Sequence, residues 1–188
     1  ERAQPYRTFL HHNNGEDLGL NYWKTRAKDP EAAVKYRMEQ EKMWTETIEA
    51  FERELIKSRD VVMDSFVHDF AWDDEKLVWL FHEGYPHGFD NVKKLVSGMG
   101  SSLGIWFSPW GGYPGKADRI KYGQAMGFEV NPIGLALAGP RYYSRFRLAC
   151  LDMIQRADVN HFKFDGITPG NNKAGPESYA SEIEALCR

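Results

Sequence analysis

Apolar residues along this chain fall into short continuous runs that alternate with longer stretches of helical spacing. Four runs rich in β-formers predict strands over residues 7–12, 61–67, 103–108 and 160–164. Apolar residues recurring every three or four positions predict helices over residues 30–57, 89–99, 117–126, 140–157 and 177–187. We expect residues 128–140 to be irregular or to form a minor strand.

The start of the longest helix is marked by two residues. Asp29 can cap the helix with its side chain, and Pro30 suits the first helical position because its missing N–H is not needed there. Polar loops are expected after the first strand, at residues 13–17, and after the second, at residues 69–74. A loop rich in Gly, Pro and Asn follows the fourth strand.

The order of elements is a strand followed by a helix, four times over. Such alternation implies parallel strands joined by right-handed crossovers, either in an open doubly wound sheet or in a (β/α) barrel. No Gly-x-Gly-x-x-Gly run follows the first strand, which removes support from a dinucleotide-binding sheet. Polar and aromatic residues gather where the strands end, as in barrel enzymes. We therefore predict an α/β fold of the (β/α)8 TIM-barrel class.

The number of units is too small for a closed barrel. A complete barrel needs eight units and about 250 residues, whereas four units are predicted in these 188 residues. Four units alone leave a sheet with open edges. We expect residues 1–188 to be the N-terminal half of a catalytic domain, completed by the remainder of the barrel from another segment or another chain.

Composition and charge limit the classes of partner that we expect for this chain. The net charge is −3 and the basic residues are dispersed, so we expect no nucleic-acid partner. No stretch approaches the roughly 20 apolar residues of a membrane span, so no membrane span is expected.

Cys150 and Cys187 make no disulfide framework, and Cys150 is expected to be a buried free thiol. Residues 1–5 do not look like a signal peptide, which a trimmed chain would also lack, so a periplasmic or secreted location and a cytoplasmic one both stay open.

Asp165 is the strongest candidate for chemistry. It ends the fourth strand and is followed by Gly166, so its carboxylate points into the mouth of a barrel. Lys163 lies two residues earlier on the same face, and a neighbouring cation favours the ionised carboxylate that a covalent mechanism requires. The alternative is a Lys–Asp ion pair that only orders the strand end.

Other acidic residues cluster after the second strand. Asp69 near Trp72 suits a carboxylate that accepts hydrogen bonds from two sugar hydroxyls, or alternatively a turn or helix cap. Asp73 and Asp74 are expected to be solvated loop charges or a cap for the next helix. Asp64 lies within the predicted strand and can face the core, where it would need a partner.

Two tryptophans flank the end of the third strand. Trp106 is typical of a core residue, whereas Trp110, in a Gly-rich loop, is better placed to pack against the C–H face of a sugar. Three histidines, His11, His12 and His68, match no standard metal-ligand spacing, so neither a metal nor a cofactor is expected. The remaining histidines, His82, His87 and His161, are interpreted as surface or packing residues.

Four segments taken together resemble the α-galactosidase clan of glycoside hydrolases, clan D, and within it family 36. They are residues 7–13 (RTFLHHN), 67–74 (VHDFAWDD), 104–113 (GIWFSPWGGY) and 162–166 (FKFDG). Their order matches the first four strands of that family's catalytic barrel, and the resemblance covers nearly the whole chain. It implies a retaining enzyme for terminal α-galactosides, α-N-acetylgalactosaminides or related α-linked sugars of an oligosaccharide or glycoconjugate.

The resemblance also implies roles for individual residues. Asp165 would be the nucleophile, Lys163 would bind a ring hydroxyl, Asp69 would bind the terminal sugar, and Trp106 would line the pocket. The family usually has Asp-Asp-Gly-Trp after the second strand, but Phe70 stands here in place of the second carboxylate. This departure puts galactose specificity in question, because losing a charged acceptor costs binding about 1.5–3 kcal/mol.

The family's acid/base carboxylate lies on a later strand, and no residue up to Arg188 matches it. We therefore expect this segment alone to have no turnover. A non-catalytic or degenerate carbohydrate-binding barrel is the main alternative, and another barrel enzyme, such as an isomerase or a metal-dependent hydrolase, is a second one. Phosphate-binding glycines or metal ligands clustered at the strand ends would favour that second alternative, and the sequence has neither.

Overall fold

The computed structural model describes residues 8–113, 115–166 and 178–188, and a parallel sheet lies at its centre. The strands in chain order are β1 (His11–Asn13), β2 (Ser65–His68), β3 (Asp73–Asp74), β4 (Leu80–Phe81), β5 (Ser102–Phe107) and β6 (Val159–Phe164). The parallel sheet has the order β1-β2-β5-β6, and β3 and β4 form a separate antiparallel pair. The predicted parallel arrangement is confirmed, whereas the described strands do not show a closed barrel.

In the described ranges of the chain, six α-helices connect or flank these strands. They are α1 (Leu20–Lys28), α2 (Pro30–Phe51), α3 (Asp90–Gly98), α4 (Lys116–Ala125), α5 (Pro140–Ala157) and α6 (Glu182–Leu186). Single π-helical turns precede α1 and follow α2, at Gly15–Gly19 and Glu52–Lys57. No described helix combines the length and the apolar character that crossing a bilayer requires.

The helix boundaries agree well with the sequence. Asp29 caps α2, since its carboxylate accepts hydrogen bonds from the backbone N–H groups of Glu31 and Ala32, both at 3.0 Å. The predicted irregular segment between α4 and α5 contains one isolated bridge, between Val130 and Leu135. The last helix begins at Glu182, later than the predicted start at residue 177, because the Ser181 hydroxyl caps it by accepting from the Glu184 backbone N–H. Residues 167–177, which include most of the loop after the fourth strand, lie outside the described residues.

The first two strands begin later than predicted. Leu10 precedes β1, and its backbone N–H donates to the carboxylate of Asp64 at 2.8 Å. Asp64 itself stands just before β2 and is half-buried, so it does not lie in the core as the sequence allowed. A run of β-forming residues does not determine where ladder pairing begins, and Val62 is in fact exposed.

The outer strands of the sheet approach each other on one face. The rings of His11 on β1 and His161 on β6 lie 4.8 Å apart, although two strands separate them in the sheet. The missing side chain of Gly104 on β5 makes this approach possible, because a Cβ atom there would come within 2.7 Å of Val67 and 3.2 Å of the His161 carbonyl oxygen. We infer that the sheet curves towards this face, as a partial barrel does.

A continuous core joins the sheet to the helices. Trp44 and Ile48 of α2, and Tyr142 and Phe146 of α5, are buried against it. Both cysteines are free, and Cys187 is exposed. Cys150 was expected to be a buried free thiol and is only half-buried. Burial raises the pKa of its thiol to about 12, which disfavours the thiolate form at neutral pH.

Asp73 corrects one prediction from the sequence, because it is not a solvated loop charge. It is fully buried and forms a two-pronged ion pair with the equally buried Arg119, at 2.7 and 2.9 Å. The Arg119 guanidinium also lies over the Trp79 ring and donates to the carbonyl oxygen of Gly111. The error arose because the charge of Asp73 is visible in the sequence but its partner, 46 residues away, is not. Asp74 is half-buried and accepts from the Lys76 backbone N–H.

Candidate active site at the carboxyl edge of the sheet

The parallel strands end at one edge of the sheet, and the candidate polar residues lie there. Asn13 ends β1, Asp69 follows β2, and Asp165 follows β6. Asp165 continues the ladder by donating its backbone N–H to the Phe107 carbonyl oxygen on β5. Because the carboxyl ends of parallel strands share an edge, residues distant in sequence meet there.

Asp69 is the most tightly held carboxylate of this edge. Its Oδ2 accepts hydrogen bonds from Lys163 Nζ and from Asn13 Nδ2, both at 2.7 Å, and its Oδ1 accepts from the Phe70 backbone N–H. Asn14 Oδ1 in turn accepts from the Asp69 backbone N–H at 2.7 Å. Asp69 is only 2% exposed, so β1 and β6 together determine its position.

Asp165 has different partners from those expected. Its Oδ2 accepts from Trp106 Nε1 at 3.1 Å, and its Oδ1 accepts from the Tyr113 hydroxyl at 3.3 Å. Lys163, which the sequence placed beside Asp165, forms its ion pair with Asp69. Alternation along β6 identifies the face on which Lys163 lies, but its partner depends on the register between strands, which the sequence does not show. Lys163 is still 43% exposed along its side chain and can reach a ligand.

Two of the predicted tryptophans are buried behind this edge. Trp106 is fully buried on β5 and reaches Asp165 through its ring N–H alone. Trp72 is also fully buried, and its Nε1 donates to the Trp106 carbonyl oxygen at 2.9 Å. Trp72 therefore does not line the candidate site itself but supports the strand that carries Trp106.

Trp110 covers the residue that follows Asp165. Gly166 has a positive φ of 75°, and a Cβ atom there would lie 2.1 Å from the Trp110 ring. Trp110 Nε1 donates to the Gly112 carbonyl oxygen at 3.1 Å, and the ring meets Tyr113 edge-on at 5.6 Å. Only glycine thus allows Trp110 to sit this close to the end of β6.

Replacing Gly166 by alanine should displace Trp110 and destabilise the protein by about 1–3 kcal/mol, because both the backbone angle and the space exclude a methyl group. The measurement is urea unfolding followed by tryptophan emission. Gly98→Ala is the matched control, since a Cβ atom at Gly98 meets nothing within 4 Å. That variant should be neutral or slightly stabilising, and equal losses in both variants would contradict our account of Gly166.

The three histidines near this edge have separate partners. His68 is buried with one ring nitrogen 2.6 Å from the Tyr85 hydroxyl and the other 2.9 Å from the Asp69 carbonyl oxygen. Burial lowers the pKa of His68 to about 4, so the ring is neutral at physiological pH. His12 lies 3.4 Å from Asp17, and His11 packs against His161. Their contacts hold the loops and strands around the site.

The sequence assigned no role in the site to three residues, Asn13, Asn14 and Tyr113. Asn13 and Asn14 lie at the end of β1 and position Asp69, and Tyr113 lies in the loop after β5 and contacts Asp165. All three belong to strand ends already singled out by the alternation of elements. Position at the carboxyl edge would have identified these residues if it had been applied to amide and phenol groups as well as to carboxylates.

No protein-family model matches this chain, and no curated protein matches it either. Solved structures do match. The alpha-galactosidase from Lactobacillus brevis aligns over 93% of this chain with a TM-score of 0.55 and 17% identity. An uncharacterized protein from Listeria monocytogenes EGD-e aligns over 93% with a TM-score of 0.48, and the cycloalternan-forming enzyme from Listeria monocytogenes aligns over 90% with 0.44, each at 11% identity.

The first of these likenesses bears on the fold of the chain. The fold is that of part of a glycosidase structure, since the chain spans 22% of the length of the Lactobacillus brevis protein. This agrees with the parallel four-stranded sheet and with the class of fold that the sequence resemblance implied.

Proposed function

We propose that this chain supplies part of the active site of a retaining glycoside hydrolase, with Asp165 as the nucleophile. The observation that carries the proposal is the environment of Asp165 at the carboxyl end of β6. Donors on two different segments, Trp106 and Tyr113, hold its two oxygens. Two donors from separate segments orient the carboxylate, and attack on an anomeric carbon requires a positioned nucleophile.

The Asp69–Lys163 pair gives the site a polar subsite beside the nucleophile. Lys163 keeps an exposed ammonium group, and Asp69 holds that group at 2.7 Å. An ammonium–carboxylate pair can donate to one sugar hydroxyl and accept from another. We propose that this pair binds ring hydroxyls of a terminal α-galactoside or a related α-linked sugar.

The reaction follows the retaining scheme. A carboxylate oxygen of Asp165 attacks the anomeric carbon, the bond to the leaving oxygen breaks, and a covalent glycosyl-enzyme forms. A second carboxylate, about 5–5.5 Å from the first, protonates the leaving oxygen and later activates water. We expect that carboxylate on a further strand of the barrel, as the resemblance implies, and we expect the remaining strands to close the sheet.

One observation favours a non-catalytic alternative. Phe70 stands where the family carries its second carboxylate, and its ring packs near Trp106 and against Gly19. An apolar wall beside Asp69 weakens the case for galactose and is compatible with a degenerate barrel that binds sugar without cleaving it. The two functions differ in whether a covalent intermediate forms.

Trapping the intermediate distinguishes them. A fluorinated galactosyl fluoride forms a glycosyl-enzyme that hydrolyses slowly, so incubation of the complete protein followed by peptide mass spectrometry should show the sugar on Asp165. The N-acetylgalactosaminyl analogue tests the related substrate. Label on a different carboxylate would refute the assignment of Asp165, and sugar binding without label would favour the binding protein.

A further inference from the structure

Tyr113 lies at the surface of the protein and also contacts the proposed nucleophile. Its side chain is on a loop after β5 and is 59% exposed, yet its hydroxyl donates to Asp165 Oδ1. Trp106 occupies the other oxygen of the same carboxylate. Asp165 is thus bound from a buried strand on one side and from a surface loop on the other.

The loop that carries Tyr113 has glycines at positions where the backbone requires a positive φ. Gly111 and Gly112 precede the tyrosine with φ angles of 110° and 83°, and Gly115 follows it with 71°. Other residues rarely adopt these angles, so the backbone path depends on glycine. A Cβ atom at Gly112 would lie 2.8 Å from the Trp106 ring, which shows how closely the loop rests on that indole.

A buried cation anchors the same loop from beneath. Arg119 Nη1 donates to the Gly111 carbonyl oxygen at 2.9 Å, and Asp73 fixes the guanidinium. Trp110, in the same loop, packs edge-on against the Tyr113 ring. The backbone just before Tyr113 is therefore in contact with buried side chains.

We propose that Tyr113 is a positioning residue for Asp165, which holds Oδ1 while Trp106 holds Oδ2 so that the carboxylate keeps one orientation for attack. This inference rests on the proposed function, because it presupposes that Asp165 is the nucleophile. Each carboxylate oxygen can accept more than one hydrogen bond, so the tyrosine orients Oδ1 without blocking it.

The electrostatics of Tyr113 agree with this contact. Loss of water around the hydroxyl, followed by the negative charge of Asp165 and the hydrogen bond to it, raises the pKa of Tyr113. A tyrosine hydroxyl carries its proton at neutral pH, so the Tyr113 phenol can donate to Asp165.

The first test follows the Tyr113 phenol itself and requires no activity. Tyrosine labelled with ¹³C at Cζ is titrated by NMR in the complete protein, and Tyr113→Phe identifies its signal. We expect Asp165→Asn to lower the pKa of Tyr113. Tyr143→Phe is the matched control, because the Tyr143 hydroxyl is paired with Tyr179 and its loss should leave the Tyr113 titration unchanged. A Tyr113 titration that ignores Asp165→Asn would overturn the inference.

The second test concerns the chemical step. Tyr113→Phe keeps the ring and removes the hydroxyl, so kcat and the rate of fluorosugar capture should fall together by about 10- to 100-fold, with KM little changed. Unchanged capture would overturn the positioning role while leaving Asp165 as the nucleophile. If Asp165→Asn lowers the pKa of Tyr113 but the wild-type protein captures no sugar, the proposed function fails and the positioning role fails with it.

Discussion

Replacing Asp165 by glycine should reduce turnover of the complete protein by roughly 10⁴-fold or more, because removing a nucleophile leaves only the contributions of binding and electrostatics. The residue lies at the end of β6 with both oxygens engaged, so its loss removes the reacting atoms themselves. The measurement is kcat/KM on nitrophenyl α-galactoside and on the corresponding α-N-acetylgalactosaminide.

Azide provides the sharper part of this experiment. In Asp165→Gly the small anion can enter the space of the carboxylate, attack the anomeric carbon and displace nitrophenolate, which leaves without protonation. The expected product is a glycosyl azide of inverted configuration, and its formation should restore part of the rate. Asp152→Asn is the matched control, since Asp152 lies on α5 in an ion pair with Arg156. Equal activity of the two variants, or an azide product of retained configuration, would exclude Asp165 as the nucleophile.

The sequence predicted most of the fold correctly where an element depends on residues close to it in the chain. The cap at Asp29 and the proline that begins α5 each act on neighbours within a few residues. The parallel sheet followed from the alternation of these elements. The β3–β4 pair was missed because each strand has only two residues, too few for any periodicity to appear. The helix α1, between β1 and α2, was also missed, because its residues are mostly polar.

The candidate site was readable as a set of positions but not as a set of contacts. Strand ends identified Asp69, Lys163 and Asp165, all of which lie at the carboxyl edge of the sheet. Which cation faces which carboxylate depends on strand register, and the structure pairs Lys163 with Asp69. The donors to Asp165 come from 52 and 59 residues away, a separation at which a single sequence carries no contact information.

Loss of the buried ion pair should have the largest effect on stability. Asp73→Asn leaves the Arg119 charge in the core without its counter-ion, and breaking such a pair typically costs about 3–5 kcal/mol. Both side chains are fully buried, so water cannot compensate. The urea midpoint of the protein should fall without a change in the m-value. Because Arg119 also anchors Gly111, fluorosugar capture by the folded fraction should slow as well.

Two comparisons separate the buried charge from a general sensitivity of the protein. Asp152→Asn removes an ion pair with Arg156, whose side chain is 79% exposed, and should change stability by no more than about 0.5 kcal/mol. The double variant Asp73→Leu with Arg119→Met removes both charges and should recover part of the loss, since an apolar pair carries no desolvation cost. A double variant less stable than Asp73→Asn would show that the ion pair itself, and not the unpaired charge, is what the fold requires.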